Sequence, residues 1–261
     1  MSEPVVLYEE NDHVAVLTLN RPQAKNALTY EVYAELEDRV RACTARCLIV
    51  TGAGGAFCAG DDLKEILGSQ RGAPPEAVAR SRATGGLTPA ADALLHTDVP
   101  VIAAVGGAAV GWGMELALMA DIRIASSAAR FGELFVLRGL CCDAPGLGRL
   151  ASLVGRERAA ELLFTGEIID AARALEIGLV SRAVEPDQLM PAAHELAGRI
   201  AANPPLAVQA LKAGLRRTLD PDWRDTGRWA IEQIQRLRQT EDCREGVQAF
   251  LEKRQPRYVG R

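Results

Sequence analysis

Between Pro4 and Leu19 apolar and polar residues alternate through PVVLYEE and HVAVLTL, with Asn11 and Asp12 between the two runs. That pattern predicts two strands joined by a tight turn, since Asn and Asp tolerate turn backbone. After the loop NRPQAKNAL (20–28), Val32, Leu36 and Val40 repeat at helical spacing behind a capping Thr29, so a helix is expected to about Cys43. CLIVTG (47–52) is a continuous apolar run, as in a strand buried on both faces. It leads into GAGGAFCAGDDLKE, with a helix start at Asp61 or Asp62. Residues 68–90, rich in Gly, Pro, Ser and Arg, are expected to form a mobile loop beside a binding site, with a helix near 89–96.

The most informative stretch is Val101–Ala120, VIAAVGGAAVGWGMELALMA, which carries one charge, Glu115. Val101–Val105 reads as a buried strand, Gly106 and Gly107 break it, and helix formers run from about Gly111 to Met119. Four glycines and a central Glu argue against a membrane span. IRIA (122–125) reads as a short strand, and a helix begins near Pro145–Gly146. Helical patterns at 156–163 and 170–177 flank TGEIID, and GLVSRAV closes the series as a strand. From about Asp187 the chain looks almost wholly helical, with Pro204–Pro205 and Pro221 as breaks. These patterns divide the chain into an α/β region, 1–195, and a helical region, 196–261.

Composition narrows the function. With 48% hydrophobic and 25% charged residues the chain is an ordinary globular protein, and a net charge of −4 with 5% aromatics gives no basis for nucleic-acid binding. The six cysteines form no C-x-x-C pair and the three histidines lie far apart, so no metal site is expected. Reduced cysteines and an N-terminus without an apolar segment point to the cytoplasm. Gly146-Leu-Gly148-Arg-Leu-Ala151 fits a dinucleotide pattern but lacks a good preceding strand and a matching acid. There is no Walker A sequence and no nucleophile elbow.

What remains is acid–base chemistry assisted by backbone amides. AFCAGDDLK (56–64) and GGAAVGWGMELA (106–117) each place N–H groups on a glycine-rich turn, the second beside Glu115. Two amides from separate segments suit an oxyanion, and a poorly solvated carboxylate suits proton transfer. Asp143, in GLCCDAPG, is a second acid. The competing structural readings are a Glu115 paired with Arg123 or Arg149 and an Asp143 that merely caps a helix.

Several ordered stretches resemble the enoyl-CoA hydratase/isomerase (crotonase) family over nearly the whole chain: NRPQAKNAL, TGAGGAFCAGDDLKE, PVIAAVGGAAVGWGMELALMADIRIA, ARFGE, FTGEIIDAARALEIGLVSRAV and EGVQAFLEKRQPRY. The resemblance implies a spiral core of ββα turns and a helical C-terminal region that builds trimers or hexamers. It implies a CoA-thioester substrate and no separate cofactor or membrane partner. By position, the oxyanion donors would be the N–H groups of Cys58 and Trp112. Coenzyme A would lie along Ala24, Lys25, Ala56, Asp62 and Leu63, with Phe250 and Lys253 reaching a neighbouring subunit's CoA.

Glu115 matches the first of two glutamates used by hydratases of the family, whereas the second falls at Phe135 and is missing. Glu133, two positions earlier, shares the Phe135 face on a strand but points away on a helical turn. Asp143 matches an acid of the family's isomerases. The expected activity is therefore that of an enoyl-CoA hydratase/isomerase using Glu115 and Asp143. The alternatives are an isomerase with negligible hydration and an inactive acyl-CoA-binding subunit.

Overall fold

The computed structural model describes residues 3–66 and 74–261. The chain opens with β1 (Val6–Asn11) and β2 (Val14–Leu19), paired antiparallel through a turn at Asp12 and His13, both with positive φ. Helix α1 (Tyr30–Ala42) starts where the Thr29 hydroxyl accepts the Val32 N–H, and it leads to β3 (Cys47–Gly52). A short α2 (Leu63–Ile66) is followed by α3 (Pro75–Ala83) and α4 (Pro89–His96), then β4 (Val101–Val105).

Helix α3 therefore takes the place of part of the loop expected over 68–90, of which 68–73 fall outside the described residues, and α4 is the helix expected near 89–96. Pro75 occupies the first turn of α3, where its missing N–H costs nothing, and the Thr88 hydroxyl caps α4 by accepting the Ala91 N–H. Gly85 and Gly86, both at positive φ, turn the chain between them against the helix at 223–237.

Next come β5 (Ala108–Val110), α5 (Trp112–Met119), β6 (Ile122–Ser126) and β7 (Arg130–Gly132). After a 3-10 turn at Leu134–Arg138 follow α6 (Ala144–Val154), α7 (Arg156–Thr165), β8 (Ile169–Asp170), α8 (Ala171–Glu176) and β9 (Arg182–Val184). The C-terminal helices are α9 (Leu189–Ala201), α10 (Pro205–Leu219), α11 (Trp223–Leu237) and α12 (Glu241–Leu251).

The strands form two sheets. The larger has the order β1-β2-β3-β4-β6-β9, parallel from β2 onward, and the smaller has the order β5-β7-β8. An isolated parallel bridge between Cys58 and Ala109 ties the turn after β3 to the smaller sheet. The alternating faces of β2, β3, β4 and β6 separate two apolar cores. One contains Leu17, Leu48, Val50 and Ala103 and joins the helices around α5. The other contains Ile49, Ile102 and Ile124 and is closed by Leu189, Ala193, Ala197 and Ala201 of α9. Residue 195, the expected boundary, lies inside this helix. The smaller sheet was absent from the sequence reading because its strands have two or three residues, too few for a period of two to register.

Candidate active site

Three chain segments meet at the start of α5. Gly111 adopts φ 54, ψ −127, a conformation closed to residues with a Cβ, and its N–H donates to the Gly132 carbonyl at 2.8 Å. Gly113 lies so close to the 57–60 turn that an added Cβ would sit 2.0 Å from the Cys58 carbonyl oxygen. This close approach brings the first turn of α5 against AFCAGDD and places Glu115 in the core, where it is 0% exposed.

Among the described residues no arginine holds Glu115. Arg123 donates to the carbonyls of Leu179, Ala117, Ala120 and Asp121, and Arg149 pairs with Asp220. The Glu115 carboxylate accepts backbone N–H groups instead, from Asp143 to Oε1 at 2.9 Å and from Gly146 to Oε2 at 2.8 Å. These amides belong to the start of α6, so Glu115 serves as that helix's cap from a distant part of the chain. Burial pushes its pKa well above the carboxylate range, and the charges of Glu133 and Asp143 add to the effect. The two amides pull the other way without winning.

Glu133 occupies the bend between β7 and the 3-10 turn. Its side chain points inward: the residue is 1% exposed and neither carboxylate oxygen has a partner among the described residues. A Cβ on Gly146 would lie 2.7 Å from Glu115 Oε1 and 3.1 Å from Glu133 Oε1, so the two glutamates converge on one point. Burial, then the charge of Asp143, raises Glu133 well above its ordinary range. Phe135, where the resemblance put the missing acid, packs as a half-buried apolar residue against the core. The acid that faces Glu115 is thus Glu133, two positions earlier, which precedes the 3-10 turn and keeps a non-helical backbone (φ −91, ψ 87).

Asp143 sits at the N-cap position of α6, yet its side chain makes no capping bond. Burial, and then the nearby charge of Asp61, raise its pKa to about 7, with the neighbouring Trp112 side chain acting against them. Asp61 was missed as a site residue: its Oδ1 accepts the Tyr33 hydroxyl at 2.6 Å, and burial lifts its pKa to about 6. The Tyr33 ring meets the Trp112 ring edge-on, centroids 4.7 Å apart. The only signal in the sequence was the doubled acid of GDD, which reads equally well as a helix start.

The two expected oxyanion donors differ. The Trp112 N–H is the first amide of α5, a position with no acceptor inside the helix. The Cys58 N–H donates to the Ala108 carbonyl at 2.8 Å, which is what forms the bridge to the smaller sheet. Gly60, at φ +84, comes within 3.2 Å of the Trp112 nitrogen when a Cβ is added, so only glycine leaves this amide uncovered.

Five of the seven expected CoA contacts lie along one seam. The Lys25 carbonyl accepts the Ala59 N–H, the Ala56 carbonyl accepts Asn26 Nδ2 at 2.8 Å, and Asp62 pairs with Arg21 at 3.2 Å. Ala24 and Leu63 flank these on the adjoining turns. Phe250 and Lys253 stand apart from that seam at the end of α12, where the Arg138 guanidinium covers the Phe250 ring at 4.4 Å.

Residues 9–261 match the family model for enoyl-CoA hydratase/isomerase. The chain belongs to the enoyl-CoA hydratase/isomerase (crotonase) family. It is 38% identical to the short-chain-enoyl-CoA hydratase of Clostridium acetobutylicum over 95% of each chain. With the crotonyl-CoA hydratase of Syntrophomonas wolfei the identity is 36% over 98% of each. Among solved structures, the carnitinyl-CoA hydratase from Mycobacterium avium superimposes with a TM-score of 0.88 at 34% identity, covering both chains completely. As an enoyl-CoA hydratase/isomerase the protein is an enzyme acting on acyl-CoA thioesters, and its α/β core with a helical C-terminal region is the family's fold. Among the described residues no helix is long and apolar enough to cross a membrane.

Proposed function

We propose that this enzyme adds water across the double bond of a 2-enoyl-CoA, with Glu115 and Glu133 holding the water and Asp143 supplying the second proton. The observation that carries the reading is the convergence of two buried glutamates on Gly146, one of them with both oxygens free of partners among the described residues. Two carboxylates so close cannot both ionise easily, so at neutral pH the pair retains a proton and its charged member is a strong base.

In this reading the thioester oxygen is held by the Trp112 N–H, with the Cys58 N–H shared between it and the Ala108 carbonyl. The glutamate pair takes one proton from water as the oxygen bonds to the β carbon, and the electrons of the double bond move into an enolate. Asp143 then gives its proton to the α carbon, and the cycle closes as the glutamate pair gives up the proton it took from water and Asp143, half-buried, regains one from solvent. The chemistry rests on the protein's own acids and on no cofactor beyond the CoA of the substrate. Ala24, Lys25, Ala56, Asp62 and Leu63 would carry the CoA moiety.

A second reading, double-bond isomerisation, uses the same acid and base without water. It is favoured by Asp143 lying beside Glu115, since its own N–H donates to that carboxylate. Mass spectrometry of the product separates the two: a gain of one water supports hydration, whereas an unchanged mass with a shifted spectrum replaces it with isomerisation. Loss of neither substrate nor double bond across a panel of enoyl-CoAs, together with tight acyl-CoA binding, would leave only a binding subunit.

For assembly, the proposed state is a trimer or a pair of trimers built by the C-terminal helices, with Phe250 and Lys253 reaching the neighbour's CoA. Supporting it, α10 exposes Leu206, Leu211, Leu215 and Leu219 at 57–78% of their surface. The six free cysteines suit a reducing compartment, and the cytoplasm is the proposed location.

A further inference from the structure

The Glu133 carboxylate has no hydrogen-bond partner among the described residues, so no bond to the side chain itself points it at Glu115. Its direction comes from its backbone, at the entry to the 3-10 turn Leu134–Arg138. The supports of that turn therefore decide where the carboxylate lies.

Arg138 ties the two ends of the turn together. Its guanidinium reaches back to donate to the Leu134 carbonyl at 3.1 Å, one residue after Glu133. The same group lies over the Phe250 ring of α12, 4.4 Å from its centroid. Backbone bonds from the Gly139 N–H to Val136 (3.1 Å) and from the Leu140 N–H to Phe135 (3.0 Å) close the turn from behind. Helix α12 presses directly on it. A Cβ on Gly246 would lie 2.8 Å from Arg138 Cα, and one on Gly139 would lie 2.9 Å from the Cys243 nitrogen. A second tie comes from the chain's end, where the Tyr258 hydroxyl donates to the Leu137 carbonyl at 2.7 Å. That end is itself fastened to α12, since the Asp242 carboxylate accepts the Val259 and Gly260 N–H groups at 2.6 and 2.8 Å.

We infer that Arg138 is a positioning residue of this site: gripped by Phe250, its guanidinium holds the bend that turns the Glu133 carboxylate toward Glu115. The inference rests on the reading of Glu133 as a member of the water pair. A planar guanidinium can stack on an aromatic ring and still aim an N–H at a carbonyl, which the compact ammonium of lysine does less well. No carboxylate pairs with Arg138 among the described residues, so the ring and the carbonyl are what hold it. The groups that act on Glu133 are burial and the charge of Asp143, with no cation among them. Arg138 therefore works by placement and not by its charge.

The decisive variant is Arg138→Met, which keeps the side-chain stem and removes the planar group. Phe250 is left alone, because it is also a proposed contact to a neighbour's CoA. The measurement is steady-state turnover of a 2-enoyl-CoA, beside calorimetric affinity for a saturated acyl-CoA. It is made on the wild type, Arg138→Met, Glu133→Gln and the double variant. Arg138→Met is expected to lower kcat about 10-fold or more with affinity nearly unchanged, since a displacement of roughly 1 Å at a reacting group costs up to about 10²-fold. In the Glu133→Gln background the same change should add almost nothing, because both act through one carboxylate. A general loosening of the fold would instead lower turnover by the same factor in either background. Turnover unmoved in Arg138→Met, an equal loss in both backgrounds, or a loss confined to affinity overturns the inference. Should Arg138→Met fail to fold, Tyr258→Phe, which removes one exposed hydroxyl, takes its place in the cycle and is judged by the same three outcomes. If Glu133→Gln turns over like the wild type, Glu133 is outside the pair and the inference falls with that reading. If Glu133→Gln is impaired while Arg138→Met is not, only the inference falls.

Discussion

At the residue scale, four acids gather at one site, Glu115 and Glu133 buried and Asp61 and Asp143 half-buried, and they differ in what each one receives. Glu115 accepts two backbone amides, Asp61 one phenol, and Glu133 no protein donor among the described residues. A carboxylate lacking donors has the strongest claim on a water molecule. Glu115→Gln and Glu133→Gln should each lower kcat about 10²- to 10⁴-fold while leaving CoA-thioester affinity near normal; steady-state kinetics beside calorimetric binding checks both. Unaltered turnover in Glu133→Gln would remove that residue from the water pair. Stability carries a signature as well. Asp143 binds its proton more tightly in the folded chain, near 7 against 3.8, so its contribution is complete below pH 3.8 and is lost as pH rises through 7. The melting temperature should therefore fall from pH 5 to pH 8, and fall less in Asp143→Asn, by scanning calorimetry.

At the element scale, the site is held by close backbone contacts more than by side-chain packing. Helix α6 is capped by Glu115 of α5, and the glycine at its third position is where both glutamates converge. Gly146→Ala would put a methyl group 2.7 Å from Glu115 Oε1 and 3.0 Å from Cys142 Sγ, forcing the carboxylate off its amides. Activity should drop by about 10²-fold, as a displacement of roughly 1 Å at reacting groups does. The far-ultraviolet circular dichroism should stay close to that of the wild type. By contrast Thr29→Ala removes only the cap of α1, costing about 1 kcal/mol in denaturant unfolding with the pH profile unchanged.

At the scale of the whole molecule, the C-terminal helices divide into those that close the core and those that leave apolar surface outside. Helix α9 seals the far face of the main sheet. Helix α10 is pinned by Lys212, whose ammonium donates to the Val99 carbonyl and pairs with Asp121, but its outer leucines remain open. Contiguous apolar surface of this kind marks association. A Leu211→Glu, Leu215→Glu double variant should elute as a smaller species in size-exclusion chromatography with light scattering. An unchanged mass would place the assembly surface elsewhere.

What the sequence determined by itself was whatever a short window can encode. The limits of α1 and β3, the strand–glycine–helix order around Glu115, and the isolation of that one charge all follow from local periodicity, capping and glycine placement. The family resemblance extended this to the fold and to the class of substrate. Tertiary structure decided what depends on segments far apart in the chain. Glu115 meets amides 28 and 31 positions away, which no local pattern announces. The backbone of the bend after β7 turned Glu133 inward and left Phe135 half-buried against the core. The partner of Asp61, Tyr33, comes from α1, so its place among the acids could not be read from GDD alone. Titration behaviour lies in the same category, because burial and neighbouring charge are properties of the packed interior and vanish in the extended chain.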